Sequence, residues 1–271
     1  MIGFIGAGSM GGALLRGVLS AGTTAADTIL FSRKNAEAGK ALARELGVHF
    51  VSSNTELVRA VGAGIVVIAV KPHQIGAVLD EISAAAANAG TVIVSVAAGT
   101  NLAALQSHLN SAQPIVRAMP NVASSIGMGM TAMARVSSVS GAQFDAVCDL
   151  FKAVGGVIEL PEQQFSAFTA IAGSSPAWTF QYIDALSRGA LANGMSKADS
   201  LRCAAQAVLG AAQLVLDGLD QDVRPQALID TVTSPGGTTV AGLIAAENSG
   251  FTNATIAAVQ ACIARDQEMV K

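Results

Sequence analysis

The feature that most constrains the fold lies at the start of the chain, where a short apolar run leads directly into a glycine-rich segment. Met1–Ile5 has the composition of a strand, the residues that follow read G-A-G-S-M-G, and an amphipathic stretch runs from Met10 to Ala21. This order predicts a strand, a tight turn and a helix. The chain therefore begins as an alternating strand and helix fold.

Further strand-like runs follow, and alanine-rich helical patterns separate most of them. The runs lie at Thr28–Ser32, His49–Val51, Gly64–Val70, Thr91–Val96 and Pro114–Ala118. Strands that alternate with helices indicate a parallel sheet. We therefore predict an α/β first domain that spans residues 1–160.

The composition of the chain changes after about Pro161. The β-branched runs disappear, and Ala, Leu, Gln and Asp recur at helical spacing to the end of the chain. This pattern predicts an all-helical second domain that spans residues 161–271.

One segment of this helical half, Leu201–Leu216, is apolar on most of its sides. A helix of that kind is buried on most of its sides, which a domain of this size can hardly achieve alone. We therefore predict that two subunits bury these helices against each other. The composition agrees, because 51% of the residues are apolar and only 13% are charged.

Charge and cysteine placement argue against several classes of protein. The uncharged stretch Ile82–Val116 is interrupted by glycines and polar residues, so it does not read as a membrane span, and the start of the chain resembles no secretory signal. A net charge of -3 without a basic run argues against nucleic-acid binding. Cys148, Cys203 and Cys262 are far apart, which disfavours disulfides and a metal site and predicts a reducing, cytoplasmic location.

The glycines of the first turn match the dinucleotide-binding pattern G-x-G-x-x-G. Gly6 would permit the tight turn, Gly8 would let the backbone approach a pyrophosphate, and Gly11 would let the helix pack on the strand. The alternative is a merely structural turn, but the position between a strand and a helix favours a cofactor. The predicted binding residues are Gly6, Ala7, Gly8, Ser9, Met10 and Gly11.

The end of the second predicted strand indicates which dinucleotide is bound. NAD-binding proteins usually place an acid there for the ribose 2′-hydroxyl, whereas this chain has Ser32, Arg33, Lys34 and Asn35. A hydroxyl and two cations would receive a 2′-phosphate, so NADPH is favoured and NADH is the alternative. The cations could also be only a solvated turn.

Two more segments lie where strands are predicted to end. They are A-V-K-P, residues 69–72, and S-V-A-A-G, residues 95–99. Open α/β sheets bind ligands at that edge, so both segments should flank the cofactor. A role for Lys71 in fixing the loop and the cofactor is favoured over a role as a catalytic cation.

The second half is poor in the proton donors that a ketone reductase uses, with Lys197 and Lys271 as its only lysines and Tyr182 as its only tyrosine. All three histidines precede residue 109, and Tyr182 has no lysine four residues later. Reduction of a ketone needs a proton for the developing alkoxide, usually from His, Lys or Tyr. A protonated imine carries its own proton, so a substrate with a C=N bond would fit this composition.

The segment T-S-P-G-G-T-T, residues 233–239, is the other candidate site. Pro235 stiffens a turn, Gly236 and Gly237 expose backbone amides, and Thr238 or Thr239 could cap the helix that follows. Free amides at a helix N-terminus form an anion site. A carboxylate is therefore the predicted ligand, and an ordinary capped turn is the alternative.

Together, these motifs closely resemble the pyrroline-5-carboxylate reductase family over the whole chain. The resemblance rests on F-I-G-A-G-S-M-G (4–11), A-V-K-P (69–72), S-V-A-A-G-T (95–100), R-A-M-P-N (117–121), G-S-S-P-A-W (173–178) and S-P-G-G-T-T (234–239). It implies a Rossmann domain followed by a helical dimerisation domain. It also implies reduction of a cyclic imine to proline with NADPH or NADH, in a homodimer that can assemble further, up to a decamer of dimers.

The resemblance implies roles for individual residues. Ser234 and the backbone of Gly237 and Thr238 would hold the substrate carboxylate, and Thr239 would bond the ring nitrogen as the catalytic hydroxyl, in an active site built across a subunit boundary. Substrate would also lie near Met119, Asn121, Ser175 and Gly236. The remaining positions, which would line the cofactor, are Ser32, Asn54, Ala69, Val70, Lys71, Pro72, Ser95, Val96 and Ala97.

Two other functions are alternatives for a chain of this pattern. A β-hydroxyacid dehydrogenase needs a lysine on the first long helix of its second domain, but only Arg188 is basic between Pro161 and Gly194. A protein that senses NADPH or acts as a scaffold would keep the fold without the chemistry. The intact 234–239 loop argues against that second alternative.

Overall fold

A computed structural model describes residues 1–219 and 221–269, so Asp220, Val270 and Lys271 lie outside the described residues. Contacts divide the chain into two compact units. The first contains residues 1–173 together with the C-terminal residues from Ile263 onward, and the second runs from Ser174 to Cys262. The domain boundary after residue 160 stays a prediction.

The first unit is built on an 8-stranded sheet whose order is β3-β2-β1-β4-β5-β6-β7-β8. Strands β1 to β6 are parallel, as the sequence predicted, whereas β7 is antiparallel to β6 and parallel to β8. The strands are β1 Ile2–Ile5, β2 Ile29–Ser32, β3 His49–Phe50, β4 Ile65–Ile68, β5 Val92–Ser95, β6 Ile115–Pro120, β7 Gly129–Arg135 and β8 Gly155–Glu159.

Helices cover both faces of this sheet, which explains why its central strands are uninterrupted apolar runs. Every residue of β4 and β5 is buried. Successive residues of β1 enter different cores, since Phe4 belongs to one apolar cluster and Ile5 to another. The α-helices of this unit are α1 Ser9–Ser20, α2 Ala36–Leu46, α3 Asn54–Val61, α4 Ile75–Ala89, α5 Leu102–Gln106, α6 Gly141–Lys152 and α7 Phe165–Phe168.

Short local signals set the helix ends. Asn35 caps α2 by accepting a hydrogen bond from the Ala38 amide at 2.9 Å, and Gly47 ends that helix in the left-handed conformation. Ser53 caps α3 in the same way through the Glu56 amide. These caps fix where the loops after β2 and β3 turn.

The described residues after 174 form helices and the loops that join them, as predicted. A π-helical turn, Thr169–Ser174, leads into α8 Ser175–Ala192, α9 Lys197–Leu219, α10 Pro225–Thr231, α11 Thr238–Asn248 and α12 Phe251–Met269. Helices α8 and α9 pack together, and the buried hydroxyls of Ser187 and Ser200 lie 3.0 Å apart between them. None of the helices in the described part of the chain is long and apolar enough to cross a bilayer.

The apolar face predicted on α9 is largely uncovered within one chain. Leu201 is 48% exposed, Leu209 47% and Leu216 59%. Only Ser200, Ala204 and Gly218 of this helix are buried among its described residues. The described residues of a single chain therefore do not provide the burial that the sequence predicts for α9.

Candidate active site

Loops at the carboxyl ends of β1, β2, β4 and β5 surround a cleft of about 740 Å³. The lining includes most of the residues predicted to hold a cofactor, namely Gly6, Ala7, Gly8, Ser9, Met10, Arg33, Ala69, Val70, Lys71, Pro72, Val96 and Ala97. Parallel sheets bind their ligands at this edge. The glycine-rich turn and the segments after β2, β4 and β5, which the sequence indicated separately, therefore line one cleft.

The glycines of the first turn differ in their surroundings. Gly6 has a φ of +93°, a left-handed conformation that favours glycine. A Cβ on Gly11 would collide with the Gly6 carbonyl oxygen and lie 2.9 Å from the Ala69 Cβ, whereas a Cβ on Gly8 would meet no atom within 4 Å. Gly11 thus allows the helix to approach the strands, and Gly8 faces open space in the cleft.

The N-terminus of α1 opens into the same cleft. Its cap is Gly8, and no side-chain hydrogen bond caps this end of the helix. Uncapped amides at a helix N-terminus, with the positive end of the helix dipole, attract a phosphate. The residues present therefore fit the pyrophosphate of a dinucleotide.

A second cleft of about 480 Å³ adjoins the first, and Gly6, Arg33, Lys34, Val70 and Gln74 line both. The predicted residues Ser32 and Asn54 line this second cleft. The Ser32 hydroxyl donates to Asn54 Oδ1 at 2.6 Å, and Asn54 Nδ2 donates to Glu81 Oε2 at 2.8 Å. These three hydrogen-bonded side chains lie where the ribose end of a dinucleotide would fit.

Two of the predicted cofactor residues line neither cleft. Gly11 is buried behind the turn, and Ser95 is only 1% exposed, with its Oγ accepting a hydrogen bond from the Ala97 amide at 3.3 Å. Both shape the loops instead. Gln74 shapes the A-V-K-P loop. Its backbone amide donates to the Lys71 carbonyl oxygen at 2.9 Å, and its side-chain oxygen accepts from the Lys71 backbone amide at 3.4 Å.

Sequence reasoning missed several lining residues. They are Ala13, Gln74, Val122 and Ser125 in the first cleft, and Ser52, His73, Ala77, Val78 and Glu81 among those in the second. Gln74 and His73 directly follow the A-V-K-P motif, which could have indicated them. Glu81 had no local signal, because only the packing of α3 against α4 brings it to the cleft.

Met119 and Asn121, which were predicted to lie near substrate, take part in contacts within the first unit. Asn121 Nδ2 donates to the Ala172 carbonyl oxygen at 2.9 Å, and its Oδ1 accepts from the Met130 amide at 3.1 Å. Met119 Sδ lies 3.2 Å from the Thr169 hydroxyl oxygen. Asn121 therefore ties the π-helical turn to β7.

The predicted carboxylate loop lies in the second unit, as does Ser175. Gly236 has a φ of +69°, and the Gly237 amide donates to the Ser234 carbonyl oxygen at 2.9 Å, which closes a tight turn. The prediction that Thr238 or Thr239 caps the next helix is wrong. The turn places Gly237 at the cap, and α11 begins at Thr238, so both threonines are already helical.

The consequence is an N-terminus without a side-chain cap. No side-chain hydrogen bond caps α11, and the hydroxyls of Ser234, Thr238 and Thr239 make no hydrogen bond to another described residue. All three residues are exposed. Three hydroxyls and free amides can bind an anion such as a carboxylate without any charged side chain.

Among the usual proton donors, Lys34 and Lys71 line the first cleft, and Lys34 and His73 line the second. Other candidates have partners elsewhere. His108 Nδ1 pairs with Asp80 Oδ1 at 2.9 Å. The ring of Tyr182 packs against Phe251, with 5.9 Å between the ring centroids. Burial raises the pKa of the Cys148 thiol, which disfavours a nucleophilic role for it.

Comparison with known proteins matches the whole chain. A family model for pyrroline-5-carboxylate reductase dimerisation matches residues 162–269, and one described as NADP oxidoreductase, coenzyme F420-dependent, matches residues 1–99. Pyrroline-5-carboxylate reductase of Mycobacterium leprae is 39% identical over 99% of this chain and 96% of its own length. The Escherichia coli enzyme of that name is 34% identical over 100% of this chain and 98% of its own.

A solved structure agrees in fold as well as in sequence. Pyrroline-5-carboxylate reductase from Coxiella burnetii superposes with a TM-score of 0.93 and 31% identity, covering 100% of this chain and 98% of that one. Identity at this level over the full length of both chains establishes common membership. The chain therefore belongs to the pyrroline-5-carboxylate reductase family.

Proposed function

We propose that this protein reduces 1-pyrroline-5-carboxylate to L-proline, the last step of proline biosynthesis, with a nicotinamide dinucleotide as the reductant. The observation that carries the proposal is the uncharged loop at residues 233–239, where the hydroxyls of Ser234, Thr238 and Thr239 are exposed and bond no other described residue and no side chain caps α11. Such a loop suits a substrate that brings its own carboxylate and its own electrophilic carbon. Relatives that share this chain's full length carry the name of that activity.

The residue roles follow from this chemistry. Ser234 and the backbone of Gly237 and Thr238 would hold the carboxylate, with the Gly237 amide closing the turn on the Ser234 carbonyl oxygen and the Thr238 amide remaining as a donor. The Thr239 hydroxyl would orient the ring nitrogen. The reduced nicotinamide, when bound, supplies a hydride to the imine carbon. Because the imine nitrogen can enter protonated, no strong acid from the protein is required, which accounts for a site of hydroxyls and amides. Met119, Asn121, Ser175 and Gly236 remain predicted neighbours of the substrate.

The preferred cofactor is proposed to be NADPH. Arg33 and Lys34 line both clefts, and two cations favour the extra phosphate on the ribose. The pyrroline carboxylate reductase of Plasmodium falciparum was crystallised with NADP bound, and it superposes with a TM-score of 0.85 and 28% identity over 100% of this chain and 98% of that one. NADH would remain a weaker alternative.

A homodimer is proposed as the working form. The residues 162–269 match a dimerisation model, and the apolar face of α9 is exposed in a single chain. The active site would then be built across the boundary between the two subunits. Further assembly to a decamer of dimers and a cytoplasmic location stay predictions.

One assay tests the activity directly. Purified protein is mixed with 1-pyrroline-5-carboxylate and either NADPH or NADH, and both cofactor oxidation and proline formation are measured. We expect proline in equal amount to the oxidised cofactor, with the higher kcat/KM for NADPH. Tight NADPH binding without any proline would show instead a protein that has kept the fold and lost the chemistry.

A further inference from the structure

We propose that Glu81 is a specificity-determining residue of the cofactor site, which keeps NADH usable by limiting the preference for NADPH. The inference rests on the proposed function, because it concerns the adenosine end of the same nicotinamide dinucleotide. Glu81 lies on α4 and lines the second cleft with Ser32, Arg33 and Asn54. The fold brings it there from 27 positions beyond Asn54 along the chain.

The carboxylate of Glu81 fixes the direction of the hydrogen bonds at this cleft. It lies 2.8 Å from Asn54 Nδ2, and a carboxylate can only accept. Asn54 must therefore turn its nitrogen to Glu81 and its oxygen to Ser32, whose Oγ is 2.6 Å from Asn54 Oδ1. An amide oxygen also only accepts, so the single hydroxyl proton of Ser32 points to Asn54.

Ser32 lines the cleft although only 3% of it is exposed, and its oxygen is available there as an acceptor, not as the phosphate donor that the sequence suggested. A ribose 2′-hydroxyl, as in NADH, can donate to the lone pairs of that oxygen, whereas a 2′-phosphate needs donors. Arg33 and Lys34 line the same cleft and supply such donors with positive charge. The two cations thus favour NADPH, whereas the hydrogen-bonded side chains of Ser32, Asn54 and Glu81 favour NADH.

The substitution Glu81→Gln should allow the hydrogen bonds from Ser32 through Asn54 to position 81 to reverse their direction. The introduced amide can donate to the Asn54 oxygen, Asn54 can then donate to Ser32 Oγ, and the Ser32 proton becomes free for a phosphate. The same substitution removes one negative charge from the wall of the cleft, which also favours a phosphate. Glu81 is exposed, so its replacement should leave folding intact.

Isothermal titration of the full-length protein with two nucleotides isolates the adenosine end. The probes are 5′-AMP and adenosine 2′,5′-bisphosphate, which differ only in the 2′-phosphate. In Glu81→Gln we expect the ratio of the two affinities to shift toward the bisphosphate by about 10-fold or more, the scale of one added hydrogen bond to a charged group. The ratio of kcat/KM for NADPH over NADH should rise in parallel.

Glu56→Gln is the matched control, because Glu56 is an exposed acid on the neighbouring α3 that lies outside both clefts. It should leave the affinity ratio unchanged. The inference is overturned if Glu81→Gln changes both nucleotides equally, changes neither, or shifts the ratio no more than Glu56→Gln does.

The two proposals can fail separately. If wild-type protein makes no proline but the nucleotide ratio responds to Glu81→Gln, the proposed reaction is wrong and the role of Glu81 stands. If proline is made and the ratio does not respond, Glu81 has no part in cofactor choice.

Discussion

At the scale of single residues, neighbouring glycines of α1 differ in the space around them. A Cβ on Gly11 would collide with the Gly6 carbonyl oxygen, whereas one on Gly12 would meet nothing closer than the Ala7 carbonyl oxygen at 3.9 Å. The turn therefore requires glycine at Gly11, where the helix touches the strands, but not at the residue beside it.

The pair of variants Gly11→Ala and Gly12→Ala tests this difference. Gly12→Ala should stabilise the protein slightly, by up to about 1 kcal/mol, because alanine is the better helix former. Gly11→Ala should lower stability and weaken NADPH binding, because α1 must move away from the turn. Urea unfolding and a cofactor titration measure both effects, and equal behaviour of the two variants would contradict the steric argument.

The same residues show what the sequence could reveal. The glycine motif was recognisable because its steric demands act over a few neighbouring residues. Glu81 was not, because its contact with Asn54 depends on how α3 and α4 pack. The threonine cap was predicted wrongly because Gly236, in the left-handed region, lets the turn end one residue earlier and places Gly237 at the cap.

At the scale of elements, the parallel strands were predictable and the last two strands were not. Buried parallel strands such as β4, I-V-V-I, are continuous β-branched runs that reveal themselves. In contrast, β7 reads G-M-T-A-M-A-R, a composition that does not favour a strand. Its conformation comes from pairing with β6, from Val116 opposite Arg135 to Pro120 opposite Thr131.

The π-helical turn before α8 depends on Asn121, which bonds both Ala172 and Met130. Asn121→Ala should remove both bonds and destabilise the protein by about 1–3 kcal/mol. Asn121→Asp keeps the acceptor for Met130 and loses only the donor to Ala172, so amide exchange should increase mainly around residues 169–174. Unchanged stability and exchange in both variants would show that Asn121 does not hold this turn.

At the scale of the whole molecule, the second unit exposes apolar side chains that a stable protein normally covers. Leu216 on α9 is 59% exposed, and α11 and α12 have no buried residue among those described. The sequence predicted that this helical half needs a second copy, and the exposed face supports that prediction.

The substitution Leu216→Lys should convert the proposed dimer to monomer, because it places a charge within an apolar interface. Gln206→Lys, on the polar side of the same helix, should leave the dimer intact. Light scattering during gel filtration gives the mass of each variant. A dimer that survives Leu216→Lys would place the subunit contact elsewhere.

The central claim is that the uncharged loop at residues 233–239 holds the carboxylate of the substrate. It is tested most directly by kcat/KM for 1-pyrroline-5-carboxylate and for 1-pyrroline, which lacks the carboxylate, in wild-type protein and in Ser234→Ala. We expect Ser234→Ala to lose about 10- to 100-fold with the carboxylate substrate, the scale of a hydrogen bond to a charged group, and to change little with 1-pyrroline. An equal loss with both substrates, or no loss with either, would contradict the assigned role of the loop.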